Sequence, residues 1–227
     1  MNSIEAMAKR SQASHLVLIY ALAAATVSAL TAFDPEPLSG TALVIFADTP
    51  LVTAITFSMI VHLVIVYNQK DLLADGFILI ASLSAGLVLG ALGAKLLGRM
   101  VPILGSFNNA IITFSLHYAT GHVLIDYLEK ERKITDVTLQ YVKENKEKYE
   151  EEGRRKGKEA IEASKKMDHE DRQMLKELIK QYRTISEALK RASEKKLTDE
   201  SVQLSERLLE LGEKIGAIYA RYGYSIT

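Results

Sequence analysis

The chain has 227 residues, with 28 Lys and Arg against 28 Asp and Glu and no Cys, so its formal net charge is zero. The lack of Cys excludes disulfides, thiolate catalysis and Cys-ligated zinc, and the balanced charge gives no reason to expect nucleic acid. Residues 1–127 carry 5 basic and 7 acidic residues, whereas residues 128–227 carry 23 and 21. The first part is too apolar for an ordinary soluble domain, and the second is too charged for hydrocarbon.

The first predicted element is an uncharged apolar stretch over residues 15–33. At about 1.5 Å per residue it is long enough to cross a bilayer as a helix. Lys9 and Arg10 precede it, so a cleaved signal peptide is the alternative interpretation. The stretch is long for a signal peptide and more apolar segments follow, which favours a retained first span.

Three more spans are predicted, over about 49–67, 77–98 and 104–127. Asp48 or Thr49 can cap the second span, and Pro50 suits its first turn.

Four spans place both termini on the same side, and the Lys and Arg residues beside the spans put that side in the cytoplasm. Lys95 and Arg99 would then lie near the outer side. Either they line a polar interior, or residues 77–127 form a re-entrant or interfacial hairpin.

Residues 129–227 are predicted to form a cytoplasmic helical domain beyond the membrane domain of residues 1–128. Two heptad seams, over about 170–194 and 199–222, predict an antiparallel helical hairpin. The apolar positions that we expect it to bury are Leu178, Tyr182, Ile185, Leu208, Leu211 and Ile215. Because a two-helix hairpin has a small core, we expect its seams to close against the charged helix 129–166 or another subunit. The charged helix has few apolar positions, and Gly153 and Gly157 weaken it, which favours a subunit.

The third span carries a small residue at every fourth position, a pattern that lets helices approach closely. The row consists of Ser82, Gly86, Gly90, Ala94 and Gly98. Packing within the chain is the favoured interpretation; an oligomer interface and a pore lining are the alternatives.

The last span is the most polar of the four. His122 and Asp126 are four residues apart and share a helix face, so they can ligate a metal or relay protons. A satisfied polar pair near the helix end is the favoured interpretation. A polar path through the membrane would use Lys95, Arg99, Asn108, Asn109, His117, His122 and Asp126.

Catalytic and nucleotide-binding motifs are missing from the sequence. Gly157-Lys158 lacks the rest of a P-loop, and there is no zinc-protease motif, nucleophile elbow or dinucleotide fingerprint. We therefore expect a protein that is not an enzyme and that holds no cofactor or metal. The basic run 154–158 follows three glutamates, 150–152, so a solvated helix face is favoured over a lipid-binding one.

One stretch resembles a known family. The pieces that carry the resemblance are Phe46-Ala47-Asp48, Met59-Ile60, Tyr67, the small-residue helix 82–98, the run 101–106, Thr113, Tyr118 to Gly121 and Tyr127 to Glu129. Residues 38–130 resemble the GTPase-associated membrane domain of unknown function that follows Era-like GTPase domains and also occurs in related bacterial inner-membrane proteins. The resemblance implies a helical module of the bacterial inner membrane with a GTPase partner in trans. It implies no catalytic residues, and the chain has no GTPase domain of its own.

The predicted architecture is all-α: a polytopic membrane domain with a cytoplasmic helical hairpin. The function that we expect is a membrane scaffold that self-associates as a homo-oligomer and recruits a partner. A small oligomeric channel or transporter, with the last span lining the path, is the alternative.

Overall fold

The computed structural model describes residues 3–33, 41–73, 83–84, 86, 105–195 and 198–226. Within these ranges the chain forms seven α-helices and no strand, which confirms the all-α prediction. The helices are α1 (Ser3–Phe33), α2 (Thr41–Val66), α3 (Gly105–Glu129), α4 (Leu139–Asn145), α5 (Glu147–Lys166), α6 (His169–Glu194) and α7 (Thr198–Arg221), with a short 3-10 turn at Ile134–Asp136.

The predicted spans correspond to these helices unevenly. The first lies within α1, and the fourth matches α3 closely. The second is longer than predicted, because α2 already begins at Thr41, so Pro50 lies inside the helix rather than in its first turn. Most of the third, 77–98, lies outside the described residues.

Only one described helix is long and apolar enough to cross a membrane. This segment is Ile4–Ala29, and 83% of its most apolar window is buried within the protein. A core helix of a soluble protein or a signal sequence has the same length and composition, so this helix is weak evidence for a membrane span. The described residues therefore form a helical protein with one candidate membrane span, and the four-span layout remains a prediction.

The three apolar helices α1, α2 and α3 pack together, and we call them the core helices. Tyr20 on α1 bonds His62 near the end of α2, at 2.8 Å, and Ser28 lies 3.0 Å from Thr113 near the start of α3. Arg10 near the start of α1 pairs with Glu129 at the end of α3, so α3 runs antiparallel to α1.

Thr56 of α2 lies 3.0 Å from His117 of α3, and with the next contact this makes α2 parallel to α3 and antiparallel to α1. The Gln69 side chain after α2 bonds the backbone after α3, where the Arg132 carbonyl accepts at 2.7 Å. The first, second and fourth spans of a four-span chain would have the same directions.

Helix α5 runs along the whole of α3. Near its start Tyr149 reaches Asp126, and near its end Lys165 lies 5.4 Å from the centre of the Phe107 ring. Gly153 allows this contact, since a Cβ there would be 2.9 Å from the Ser115 Cα. The glycines that we expected to weaken α5 are buried in this interface.

Helices α6 and α7 form the predicted antiparallel hairpin. The buried Tyr182 hydroxyl donates to the Leu208 carbonyl across it, and Arg221 pairs with Asp171 at 2.8 Å. Five of the six predicted seam residues are buried, and Ile185 is half-buried. The hairpin packs against α1 and α2. Helices α1 and α2 therefore cover the seams where we expected the charged helix, and the favoured alternative, contact with another subunit, stays a prediction.

The amphipathic helices α5, α6 and α7 therefore cover the core helices, and we call them the sheath helices. Every exposed position of α5 carries a charged residue. One apolar core continues across residue 128, the predicted end of the membrane domain, and includes Leu22, Phe114, Leu175 and Ile215. Only three large apolar side chains are well exposed among the described residues: Ile4, Met7 and Met174.

Candidate functional site: a polar and aromatic junction of α1, α3 and α5

Asp126, one turn before the end of α3, holds the neighbouring helices through its carboxylate. Its Oδ1 accepts from Arg10 of α1 at 3.2 Å, and its Oδ2 accepts from Lys148 at 2.9 Å and the Tyr149 hydroxyl at 2.6 Å, both on α5. Arg10 also pairs with Glu129. The side chain of Asp126 is 20% exposed, so this network lies at the edge of the core and not at its centre.

The electrostatics of this junction keep its donors protonated. Burial and the hydrogen bond to Asp126 raise the pKa of the Tyr149 hydroxyl. Hydrogen bonds with Tyr149 and Asp126 raise the pKa of Lys148. Both groups therefore remain donors at neutral pH, and the carboxylate stays compensated by positive charge.

An aromatic row leads away from this network into the core. The His122 ring lies between Tyr118 and Tyr149, with centroids 4.3 and 5.1 Å away. Phe114 continues the row beyond Tyr118, and the Tyr224 ring meets Phe114 edge-on at 6.4 Å. The row joins α3, α5 and the segment after α7, so it ties both ends of the sheath to one core helix.

The residues of this junction hold α1, α3 and α5 together. Asp126 is engaged by three donors, and it turns towards Arg10 and Lys148 while His122 stacks on tyrosines. Within the described residues no three His, Cys, Asp or Glu side chains are grouped as metal ligands. The Nδ1 atom of His122 is buried and has no hydrogen-bond partner in the described part of the chain. The Asp126 carboxylate is thus satisfied by donors other than His122, and the satisfied His122–Asp126 pair that we favoured stays a prediction.

The residues predicted to line a polar path face different neighbours where the structure describes them. His117 lies against α2, with its Nε2 atom 3.0 Å from the Thr56 hydroxyl, whereas His122 faces α5. Asn108 is exposed and Asn109 half-buried near the start of α3. Lys95 and Arg99 lie outside the described residues.

The predicted small-residue row is described at one position. Gly86 is half-buried, and a Cβ there would lie 3.2 Å from the Leu139 side chain. Ser82, Gly90, Ala94 and Gly98 lie outside the described residues, so the row stays a prediction.

Close contacts between core and sheath depend on small residues that our reading of the sequence missed. Ser205 of α7 accepts from Ser58 of α2 at 3.1 Å, and both are fully buried. At Gly212 a Cβ would be 2.5 Å from the Ile19 side chain. On α5, Gly153 and Gly157 are four residues apart, as in a G-x-x-x-G pair. That spacing is a signal that could have predicted the contact with α3.

Comparison with known proteins finds no matching family model, curated protein or solved structure. The resemblance of residues 38–130 to the GTPase-associated membrane domain therefore stays a prediction, and function has to be argued from the geometry.

Proposed function

We propose that the protein is a non-enzymatic, membrane-associated scaffold whose sheath helices cover its apolar anchor until a bilayer takes their place. The observation that carries the proposal is the packing of three apolar core helices under helices with charged outer faces. On this account the core helices are the anchor, and the sheath helices are the cytoplasmic part that recruits partners.

Helix α3 cannot cross a membrane while α5 is packed against it. Helix α5 lies beside α3 over its full length, and its outer face is charged at every exposed position. If α3 crossed a bilayer with α5 attached, those charges would lie at hydrocarbon depth, where each costs several kcal/mol. Insertion of α3 therefore requires α5 to leave.

Opening of the sheath also supplies a recruiting surface. The inner faces of α6 and α7 carry Leu178, Leu208 and Ile215, which are buried in the closed protein. Once the core helices insert, these side chains need a new apolar partner. A second copy offers the same seam, which supports the proposed self-association. A GTPase in trans is the partner that the resemblance of residues 38–130 suggests.

A disulfide between α2 and α7 tests this proposal. The chain has no Cys, and the hydroxyl oxygens of Ser58 and Ser205 are 3.1 Å apart, so Ser58→Cys with Ser205→Cys should form one defined bond. We expect the oxidised protein to stay extractable by alkaline carbonate after incubation with phospholipid vesicles. After reduction the same protein should resist extraction as the wild type does.

The two single Cys variants are the controls, because they carry the substitutions without the bond. Equal resistance of the oxidised and reduced double variant to extraction would contradict the proposal, since α2 would then enter the bilayer with α7 still attached.

A further inference from the structure

Helix α6 carries a basic face that takes no part in the junction at Asp126, although Arg172 near its start is half-buried and donates to the Lys165 carbonyl at 3.1 Å. Projected at about 100° per residue, its six Lys and Arg residues fall within an arc of about 100°. They are Arg172, Lys176, Lys180, Arg183, Lys190 and Arg191. Two acidic positions, Glu187 and Glu194, fall in the same arc, and Glu177 beside it pairs with Lys180 at 3.3 Å.

The buried side chains of α6 occupy a different arc. Leu175, Tyr182 and Leu189 point into the core and are at most 3% exposed. Lys180, Arg183, Lys190 and Arg191 are exposed. The basic face thus forms a straight row about 30 Å long on the outside of the closed protein.

The other sheath helices lack such a face. The exposed cations of α5 are interleaved with glutamates, as in the pair of Arg155 with Glu159 at 2.6 Å. Helix α7 is mainly acidic outside, with Glu206, Glu210 and Glu213 exposed. Although the chain has no net charge, the exposed charges are distributed unevenly among the sheath helices, and α6 carries the basic surface.

We propose that the basic face of α6 binds the anionic headgroups of a phospholipid bilayer, with the helix lying along the membrane surface. A straight row of cations on one rigid helix can meet many headgroups at once, and each contributes about fivefold to membrane binding. The inference rests on the proposed function only in taking a membrane as the partner. It needs no insertion, because the face is outside the closed protein.

Nucleic acid is the other polyanion that a basic row can bind. Proteins that bind single strands stack bases on exposed aromatic rings, but Tyr182, the only Tyr, Phe or Trp of α6, is fully buried. A lipid surface therefore fits the face better, and duplex nucleic acid is an outcome of the test.

The test is co-sedimentation of the full-length protein with vesicles. One set contains equal parts of phosphatidylglycerol and phosphatidylcholine, and the other contains phosphatidylcholine alone. The variant is Lys176→Gln with Lys180→Gln and Arg183→Gln. The matched control is Arg154→Gln with Arg155→Gln and Lys158→Gln, which removes three exposed cations from α5. Circular dichroism checks that both variants fold.

In the oxidised Ser58→Cys, Ser205→Cys protein, whose core helices stay covered, we expect tight, salt-sensitive binding to the phosphatidylglycerol vesicles only. The α6 variant should lose about a hundredfold in affinity, and the α5 control should lose much less. Equal binding to both vesicle types, or equal losses in the two variants, would overturn the assignment. Tighter binding to a duplex DNA oligonucleotide, lost in the same α6 variant, would assign the face to nucleic acid instead.

The disulfide-closed form of the Ser58→Cys, Ser205→Cys protein separates this inference from the proposed function. We expect the closed form to bind phosphatidylglycerol vesicles and to be released by salt. Binding of the closed form that the α6 substitutions abolish supports the basic face even if insertion is never observed. If only the reduced form binds, the inference about the basic face is wrong.

Discussion

At the scale of single residues, contacts between core and sheath depend on positions where a side chain is missing or small. Gly153 faces the Ser115 backbone, and Gly157 faces Ile111 and Phe114 at 3.2 to 3.4 Å from an added Cβ. A glycine inside a helix usually costs about 1 kcal/mol relative to alanine. The close approach of α3 gives these two glycines a packing role that offsets this cost.

Gly153→Ala should destabilise the protein although alanine is the better helix former. The new methyl would lie 2.9 Å from a backbone atom, and overpacking of this kind costs about 1–3 kcal/mol, more than the helix gains. We expect a net loss of about 1 kcal/mol in denaturant titration. Gly157→Ala, where the contacts are longer, is the graded comparison and should lose less. A Gly153→Ala protein more stable than wild type would show that α5 does not pack on α3 as described.

The carboxylate of Asp168 gives a pH-dependent contribution at the start of α6. Its Oδ1 accepts from the Asp171 backbone N–H at 2.9 Å, and this bond holds the pKa of Asp168 below its usual value. Because the folded-state pKa is lowered, the contribution is complete above the unfolded pKa of about 4 and is lost as pH falls through the folded pKa.

We therefore expect wild type to lose more stability than Asp168→Asn between about pH 5 and pH 2. An asparagine caps the helix equally well without titrating. Denaturant titrations of both proteins across that range are the measurement, and parallel pH profiles would contradict the assigned role.

At the scale of whole helices, the pattern of α6 and α7 was predictable, but the surface that covers their seams was not. Heptad spacing identified Tyr182 and Leu208 as buried because it specifies which helix face is apolar. It does not specify what covers that face. The serines and Gly212 that meet α1 and α2 carry no apolar signal, so the covering helices could not be inferred from spacing.

The bounds of α2 show a similar limit. Asp48, Thr49 and Pro50 form a common start signal, yet the helix begins at Thr41. A proline within a helix removes one backbone hydrogen bond. The apolar residues on both sides of Pro50 nevertheless continue a single helix, which start signals alone do not reveal.

Leu208→Ala tests the hairpin as an element. Leu208 is fully buried, so its truncation should cost about 2–5 kcal/mol in the free energy of unfolding. Leu209→Ala, one residue along and half-buried, is the matched control and should cost clearly less. Equal small losses in both variants would place Leu208 outside a packed core.

At the scale of the whole molecule, hydrophobicity alone could not separate a membrane span from a core helix. The segment Ile4–Ala29 is apolar enough for either, and the burial of residues 16–29 within the protein is a tertiary property. The polar members of the last span were recognisable as a group. Asp126 bonds Arg10 and His117 lies beside Thr56, and both partners come from distant parts of the chain. The spacing of Asp126 and His117 could therefore not predict that the two side chains point to different helices.

The most direct test is the distance between α3 and α5 with and without a bilayer. Spin labels on Cys at Asn108 and Lys158, both exposed, report this separation by double electron–electron resonance. We predict one short, narrow distance in buffer and a longer, broader one after the protein becomes resistant to carbonate extraction from vesicles. The same narrow distance in carbonate-resistant protein would contradict the account, because the sheath would then remain closed in the membrane.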